Sequence, residues 1–448
     1  NHKDFTHIPF VTIDGDESKD FDDAVYAIPK KTNFTIITAI ADVSYYVKAD
    51  TELDNEAKER ANSFYFPGMV IPMLPELLSN NLCSLVPNKD RLCLIVEIEI
   101  NSEGLIIKTN ISRGIIQSRA KLTYDEVQNH IDKKCSLENN IGELIDNIFK
   151  AYNTLKKGSF KRGKIELDTE EYEIKNLYDK NKFTFSKKKS LISMKLIEEL
   201  MIITNKAIAD FSNENKINIL YRNHNKPSDE KMLKLKEFFK ILKIDLFREN
   251  LNLNIKLNKI LANKENKNYN LLKDIILKSQ SKAIYSFINE GHFGLALNSY
   301  THFTSPIRRY SDLLVHREIC NFISKNRTKK CKSINKMLCD HLLEQEKKSE
   351  NIERSIIEKA CSIYLSKIKK KFFLGFIDGV TTFGIFIKSC ELPFSGLARI
   401  KNINSDYNIF DIRKNCIQGK NKKIKFLVGQ KVSFKIKKNN IEKGLISL

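Results

Sequence analysis

The sequence lacks long apolar runs and paired cysteines. No window of 18 residues is uninterruptedly apolar, and the N-terminus shows no basic segment followed by an apolar one. We therefore expect neither a membrane-spanning helix nor a secretory signal. The nine cysteines form no C-x-x-C pair, which argues against a zinc domain or a disulfide scaffold and favours a reducing, cytoplasmic compartment.

Acidic residues are also scarce relative to basic ones. The 448 residues include 76 Lys and Arg against 55 Asp and Glu, a formal net charge of +21, and 42% are hydrophobic. This apolar content is enough for two or more packed units and excludes a disordered chain. The charge excess indicates a polyanionic partner, with nucleic acid favoured over a membrane surface.

The first part of the chain predicts a twisted mixed sheet covered by helices, an α/β (α+β) core. Short β-branched and aromatic runs predict strands at residues 10–13, 24–28 and 34–41. Residues 66–75 contain several prolines and predict an extended connection. Helices are predicted at residues 51–62, 191–211 and 229–278, and the second of these is apolar on nearly every face, as in a buried helix.

The character of the sequence changes near residue 366. From there on, alternating strand patterns separated by glycines predict a small all-β barrel of the OB type. Residues 371–448 contain 15 Lys and Arg against 5 Asp and Glu, so +10 of the total +21 lies in this segment. We expect two domains, residues 1–365 and 366–448.

The most informative segment is an acidic cluster at residues 14–23. Six carboxylates, Asp14, Asp16, Glu17, Asp20, Asp22 and Asp23, are offset by a single lysine. A pair of Mg²⁺ ions about 4 Å apart requires such oxygen ligands. A solvated acidic turn is disfavoured because strand residues flank the cluster, and a calcium loop is excluded because the EF-hand glycine and glutamate positions do not match.

Several motifs carry a resemblance to a known family. They are residues 12–27 (TIDGDESKDFDDAVYA), 39–47 (AIADVSYYV), 65–67 (YFP), 70–75 (VIPMLP), 82–85 (LCSL), 226–228 (KPS), 291–297 (GHFGLAL) and 302–310 (HFTSPIRRY). The chain resembles the RNB family of 3′-to-5′ exoribonucleases, of the ribonuclease II and ribonuclease R type, with the last two motifs nearest to the R type. Residues 379–387 (GVTTFGIFI) resemble an S1 RNA-binding domain.

The resemblance implies a Mg²⁺-dependent, processive hydrolase that degrades single-stranded RNA, and in the R type also structured RNA, from the 3′ end to 5′-nucleoside monophosphates. We also expect a monomer without membrane attachment. Two alternatives stay open: a ribonuclease II-like enzyme that stalls at duplexes, and an inactive RNA-binding regulator with the same fold. Because the first residue is Asn1, we expect a longer protein, and the resemblance implies cold-shock-type domains before this residue.

The resemblance also implies roles for individual residues. Asp14, Asp20 and Asp23 would bind or support two Mg²⁺ ions, and Asp22, a fourth expected metal and catalytic residue, would be the carboxylate whose loss stops chemistry without abolishing RNA binding. Arg308 would contact the scissile phosphate, because a guanidinium group can bind two phosphate oxygens at once.

Further positions are expected to bind RNA. Tyr65 would pack on the terminal nucleotide, and Arg309 would either help Arg308 or pair with Asp312. Glu358 would contact the same end of the RNA or lie on a helix surface. The remaining expected contacts are the barrel aromatics Phe383 and Phe386. One departure is Leu167, which stands where some relatives have a base-stacking Phe.

Overall fold

The computed structural model of the chain describes residues 2–167, 172–176, 183–242, 244, 251–266, 269–324, 335–368, 370, 372–403, 406–411, 416–421 and 423–448. Within these ranges, every helix is too short or too polar to span a lipid bilayer.

A mixed seven-stranded sheet forms the centre of the N-terminal part. The first strands are β1 (Lys3–Asp4), β2 (Val11–Asp14), β3 (Asp23–Lys30), β4 (Asn33–Ala41), β5 (Phe64–Phe66), β6 (Met69–Ile71), β7 (Asp90–Ile100), β8 (Ile106–Gln117) and β9 (Ala120–Thr123). The sheet order is β1-β8-β7-β4-β3-β2-β9. The pairs β1–β8 and β2–β9 are parallel and the other pairs are antiparallel.

Strands β5 and β6 form a separate hairpin where the sequence predicted an extended connection. Phe66 pairs with Met69, so Pro67 and Gly68 make a two-residue turn. Gly68 has a φ of 75°, which is the left-handed conformation that the third position of a type II turn requires after proline. Pro67 therefore marks a reversal of the chain at this point.

Among the described residues, the helices are α1 (Val43–Tyr46), α2 (Glu52–Arg60), α3 (Tyr124–Ile131), α4 (Asn139–Arg162), α5 (Ile192–Glu214), α6 (Asp229–Ile241), α7 (Leu253–Ala262), α8 (Tyr269–Ser279), α9 (Tyr310–Ile323) and α10 (Lys336–Lys367). Some helices pack against the central sheet, and α6, α7 and α8, further along the chain, pack against one another. Helix α5 is the buried helix that the sequence predicted: Leu196, Leu200 and Ile208 are at most 1% exposed and belong to the same core as the sheet.

The C-terminal part has its own apolar core. Its strands are β14 (Phe373–Thr381), β15 (Gly384–Ser389), β16 (Ser395–Arg399), β17 (Asn408–Asp411), β18 (Cys416–Gly419), β19 (Lys425–Phe426), β20 (Lys431–Phe434), β21 (Lys438–Asn440) and β22 (Leu445–Ser447). Four strands that precede this part form two separate antiparallel pairs: β10 (Tyr172–Lys175) with β11 (Thr184–Lys187), and β12 (Tyr221–Asn223) with β13 (Ile284–Ser286). Within the C-terminal part, one sheet has the order β20-β14-β15-β16-β22-β21 and a second has the order β17-β18-β19. Phe373, Ile377, Ile387 and Phe434 lie in the core between them. This arrangement is consistent with an OB barrel, although no pairing among the described strands closes the ring.

Candidate active site

The acidic cluster lies on the loop between β2 and β3, which we name the acid loop (residues 14–23). Asp14 is the last residue of β2 and Asp23 is the first residue of β3. Because these neighbouring strands are antiparallel, the two carboxylates emerge at the same end of the sheet. The Gly15 N–H donates a hydrogen bond of 2.7 Å to Asp14 Oδ1.

A buried serine fixes the backbone of the acid loop. Ser84 Oγ accepts a hydrogen bond from the Phe21 N–H at 3.0 Å and donates one to the Lys19 carbonyl oxygen at 2.7 Å. These contacts bracket Asp20 on both sides. Ser84 belongs to the LCSL motif at residues 82–85. The structural role of this serine is to hold the backbone of the acid loop on either side of Asp20.

The acid loop carries negative charge in a partly dehydrated environment. Burial raises the pKa of Asp14, raises that of Asp22 well above its ordinary value, and raises that of Asp23 to about 7. The charge of Asp14 raises the pKa of Asp23 further, whereas the nearby Arg308 guanidinium opposes the shift. Because burial disfavours the charged form of a carboxyl group, a cation bound beside these three residues would favour their ionisation.

Arg308 pairs with Asp22 of the acid loop. Its Nε lies 3.4 Å from Asp22 Oδ2, and the preceding Ile307 N–H donates a hydrogen bond of 2.8 Å to Asp22 Oδ1. Asp22 is only 5% exposed, but the Arg308 side chain is nearly half exposed. The guanidinium group therefore joins a buried carboxylate to the open side of the site.

Tyr65 also reaches the acid loop, from strand β5. Its hydroxyl group donates a hydrogen bond of 2.8 Å to Asp20 Oδ2. The residue is 38% exposed, so part of the ring is available to a ligand. Burial raises the pKa of the phenol, and the charge of Asp20 raises it further.

Tyr124 was not identified from the sequence. Burial raises the pKa of its phenol, and the charges of Asp14 and Asp23 raise it further. Tyr124 is the first residue of α3 and follows Thr123, which pairs with Asp14 in the parallel β2–β9 register. A parallel pairing between residues so distant in sequence leaves no local pattern that could have revealed this neighbour.

Two other expected RNA-binding residues have structural partners. Arg309 forms an ion pair with Asp312 at 2.8 Å, which is the structural alternative that the sequence left open. Glu358 lies on α10 and pairs with Arg354, one turn earlier, at 2.9 Å. No contact found in the described part of the chain joins Glu358 to the acid loop, and the RNA-binding roles of both residues stay predictions.

The barrel aromatics belong to the C-terminal part, where Phe383 directly precedes β15 and Phe386 lies within it. Phe383 and Phe386 are 54% and 37% exposed, and their ring centroids are 6.2 Å apart in an edge-to-face arrangement. Two exposed rings that lie next to each other on a basic barrel can stack on nucleobases. Leu167, which stands where some relatives have a base-stacking Phe, is partly buried and packs against the small core formed by α6, α7 and α8.

The four aspartates have the chemistry that a divalent ion needs. Asp14, Asp20, Asp22 and Asp23 offer hard oxygen donors, and burial, with a smaller contribution from neighbouring carboxylates, raises the pKa of Asp14, Asp22 and Asp23. Among the residues described, however, no three His, Cys, Asp or Glu side chains are already arranged as a metal-binding group. The oxygen donors of the four aspartates thus fit Mg²⁺ by their chemistry, but their positions in this structure do not form a metal-binding group.

Comparison with known proteins assigns the family. The family described as RNB domain matches residues 2–325. The chain belongs to the RNB family. Ribonuclease R of Buchnera aphidicola subsp. Acyrthosiphon pisum is 33% identical over 476 residues, which cover 100% of this chain and 64% of that protein. The chain spans between 56% and 64% of the length of the curated relatives it matches.

Two solved structures of an RNB relative have the same fold. Mycoplasma genitalium RNase R in complex with ribose methylated single-stranded RNA has a TM-score of 0.93 and 32% identity, and the match covers 100% of this chain and 71% of that one. The complex of the same protein with double-stranded RNA has a TM-score of 0.85 and 30% identity, with 100% and 75% covered. These matches confirm the predicted fold class, a mixed-sheet core with helices and a C-terminal all-β part.

Proposed function

We propose that this chain is the catalytic part of a Mg²⁺-dependent, processive 3′-to-5′ exoribonuclease of the ribonuclease R type. It would hydrolyse single-stranded and structured RNA to 5′-nucleoside monophosphates. The observation that carries the proposal is the convergence of Arg308 and Tyr65 on the acid loop, through Asp22 and Asp20 respectively. Membership of the RNB family and the likeness to an RNase R solved with RNA support it.

Each residue of the site has a distinct proposed task. Mg²⁺, held by Asp14, Asp20, Asp22 and Asp23, would supply Lewis-acid activation of water and neutralise charge on the phosphate. Arg308, which is partly exposed, would donate hydrogen bonds to the scissile phosphate and stabilise the negative charge that develops on it. The exposed part of the Tyr65 ring would stack on the terminal base, a contact available to every nucleobase.

The remaining expectations complete the proposal. Residues 1–365 would form the catalytic domain and residues 366–448 an S1-type domain, whose Phe383 and Phe386 rings hold RNA away from the site. Grip on the backbone at many points would allow the RNA to advance without release. The eight described free cysteines support a reducing compartment, in which the protein would act as a cytoplasmic monomer.

The test uses 5′-labelled single-stranded RNA and Mg²⁺. The unmodified chain is expected to shorten the RNA from its 3′ end and to release mononucleotides. Asp22→Asn is expected to abolish release while retaining RNA binding. Asp16→Asn is the matched control, because it removes an exposed carboxylate from the same loop, and it is expected to keep the activity.

Other outcomes identify the alternatives. RNA binding by the unmodified chain with no nucleotide release would contradict the enzyme and indicate an RNA-binding regulator. Activity that stops at the base of a duplex with a 3′ overhang would indicate ribonuclease II-like behaviour. Activity that proceeds through the duplex supports the ribonuclease R type.

A further inference from the structure

Residues 305–309 form a tight turn, which we name the arginine turn because it carries Arg308. The turn contacts two segments of the site. The Ile307 N–H donates to Asp22 Oδ1 at 2.8 Å, and the Arg308 carbonyl oxygen accepts from the Ser63 N–H at 3.0 Å. Ser63 precedes strand β5, which carries Tyr65. A displacement of the arginine turn would therefore move Arg308 relative to both the acid loop and the aromatic ring.

Asp312, in the first turn of α9, holds both ends of the arginine turn. Its Oδ1 accepts hydrogen bonds from the Ser305 N–H and from Arg309 Nη2, each at 2.8 Å. Its Oδ2 accepts from Ser311 Oγ at 2.9 Å. Asp312 is fully buried, with 0% exposure. A buried carboxylate with three donors is costly to disturb, because its partners cannot turn to water instead.

Ser305 connects Asp312 to the guanidinium group of Arg308. Arg308 Nη2 donates a hydrogen bond of 2.9 Å to Ser305 Oγ, while the backbone N–H of the same serine is bound by Asp312. The Arg308 side chain is thus oriented from two directions, by Ser305 and by Asp22. Asp312 can influence Arg308 without touching it.

We propose that Asp312 is a positioning residue that fixes the arginine turn and thereby orients Arg308 towards the substrate phosphate. The inference rests on the proposed function. Asp312→Asn keeps the shape of the side chain but removes the charge that faces Arg309, so the turn loosens. A loosened turn lowers the rate of the chemical step more than the affinity for RNA, because the backbone phosphates elsewhere are still held.

A double-mutant cycle with Arg308→Ala tests the inference. The single-turnover cleavage rate and the dissociation constant for RNA are measured for the unmodified chain, the two single variants and the double variant. Asp312→Asn is expected to lower the rate by about 10-fold to 100-fold, the cost of a misplacement on the order of 1 Å, with RNA affinity within about 2-fold. In the Arg308→Ala background it is expected to have little further effect, because the group that it orients is gone.

A purely structural role predicts a different result. It would lower the rate by the same factor in both backgrounds, and that outcome would overturn the inference while the exoribonuclease assignment stands. An unmodified chain without activity would overturn the proposed function and the inference together. If Asp312→Asn does not fold, Ser305→Ala replaces it in the same cycle, since it removes only the hydroxyl group that contacts Arg308.

Asp54, a buried aspartate of α2 that binds side chains of α9, provides a matched control. Asp54 Oδ1 accepts hydrogen bonds from the Tyr310 hydroxyl group at 2.8 Å and from Arg317 Nη2 at 2.7 Å. Both partners lie on α9, as Asp312 does, but neither belongs to the arginine turn. Asp54→Asn is expected to lower stability and to change the cleavage rate by equal factors with and without Arg308.

Discussion

The hydroxyl group of Tyr65 donates a hydrogen bond of 2.8 Å to Asp20 Oδ2, although the two residues are 45 positions apart in the sequence. One side chain therefore presents an aromatic face to the open site and a polar group to the acid loop. The two contributions can be separated by substitution, since phenylalanine keeps the ring and alanine removes both.

Tyr65→Phe and Tyr65→Ala are expected to have different effects on RNA. Loss of the ring removes base stacking worth about 1–3 kcal/mol, so Tyr65→Ala should weaken RNA binding strongly and lengthen the shortest end product. Tyr65→Phe should bind RNA nearly as well as the unmodified chain. Binding is measured by fluorescence anisotropy in an Asp22→Asn background, which prevents degradation, and end products are sized on gels. Equal losses of affinity in both variants would contradict the stacking role.

A second prediction concerns pH. The pKa of Asp23 is about 7 in the folded chain, against an ordinary value of 3.8, so the folded state binds this proton more tightly than the unfolded state. The stability that Asp23 contributes is therefore present below about pH 4 and is lost as the pH rises towards 7. Asp23→Asn, which cannot titrate, should weaken this decline.

Thermal unfolding in the presence of a chelator checks this prediction. The melting temperature of the unmodified chain is compared with that of Asp23→Asn at several values between about pH 4 and 8. Burial shifts the pKa values of Asp14 and Asp22 in the same direction, so only part of the decline should disappear. An identical pH dependence in the two proteins would show that Asp23 titrates normally.

Local sequence patterns predicted the parts of the molecule that depend on neighbours along the chain. The acid loop is such a part, because its carboxylates fall within ten residues between two strands. The buried helix α5 and strands β2, β3 and β4 follow from local patterns in the same way, whereas the other strands of the central sheet were not predicted. The hairpin of β5 and β6 was missed because prolines in extended segments and in turns give similar patterns.

Contacts between distant residues could not be predicted from such patterns. The parallel pairing of β9 with β2 places Thr123 opposite Asp14 and so brings Tyr124, the next residue, to the same end of the sheet. The sheet of β17, β18 and β19 was also missed, because its short strands alternate polar and apolar residues only weakly. The pairing of Arg309 with Asp312 was one of two open alternatives, and side-chain geometry was needed to choose between them.

The serine that brackets Asp20 leads to a third prediction. Ser84→Ala would leave the buried Phe21 N–H and the Lys19 carbonyl without this partner, a cost of about 1–3 kcal/mol for each unsatisfied group. The acid loop should shift, so the variant should be less stable and should need more Mg²⁺ for half-maximal activity. Titration calorimetry with Mn²⁺ measures the metal affinity directly, without relying on the enzymatic activity.

Two further serine variants distinguish this effect from a general loss of packing. Ser84→Thr keeps the hydroxyl group and should restore much of the metal affinity. Ser79→Ala removes another buried hydroxyl, whose hydrogen bond to the Pro75 carbonyl is long at 3.4 Å, and should leave metal binding unchanged. If Ser84→Ala binds Mn²⁺ as tightly as the unmodified chain, the serine does not control the acid loop.

The last prediction separates RNA binding from packing in the C-terminal part. Phe383 and Phe386 are 54% and 37% exposed, whereas Phe373 is 2% exposed within the barrel core. Phe383→Ala and Phe386→Ala should therefore weaken binding of long single-stranded RNA with little change in melting temperature. Phe373→Ala should destabilise the chain by about 3–5 kcal/mol, because it leaves a cavity in the core. Because both rings belong to the C-terminal part, we expect that their loss does not slow cleavage of RNA too short to reach the barrel. A reduced rate on such short RNA would mean that these rings contribute to the catalytic site itself.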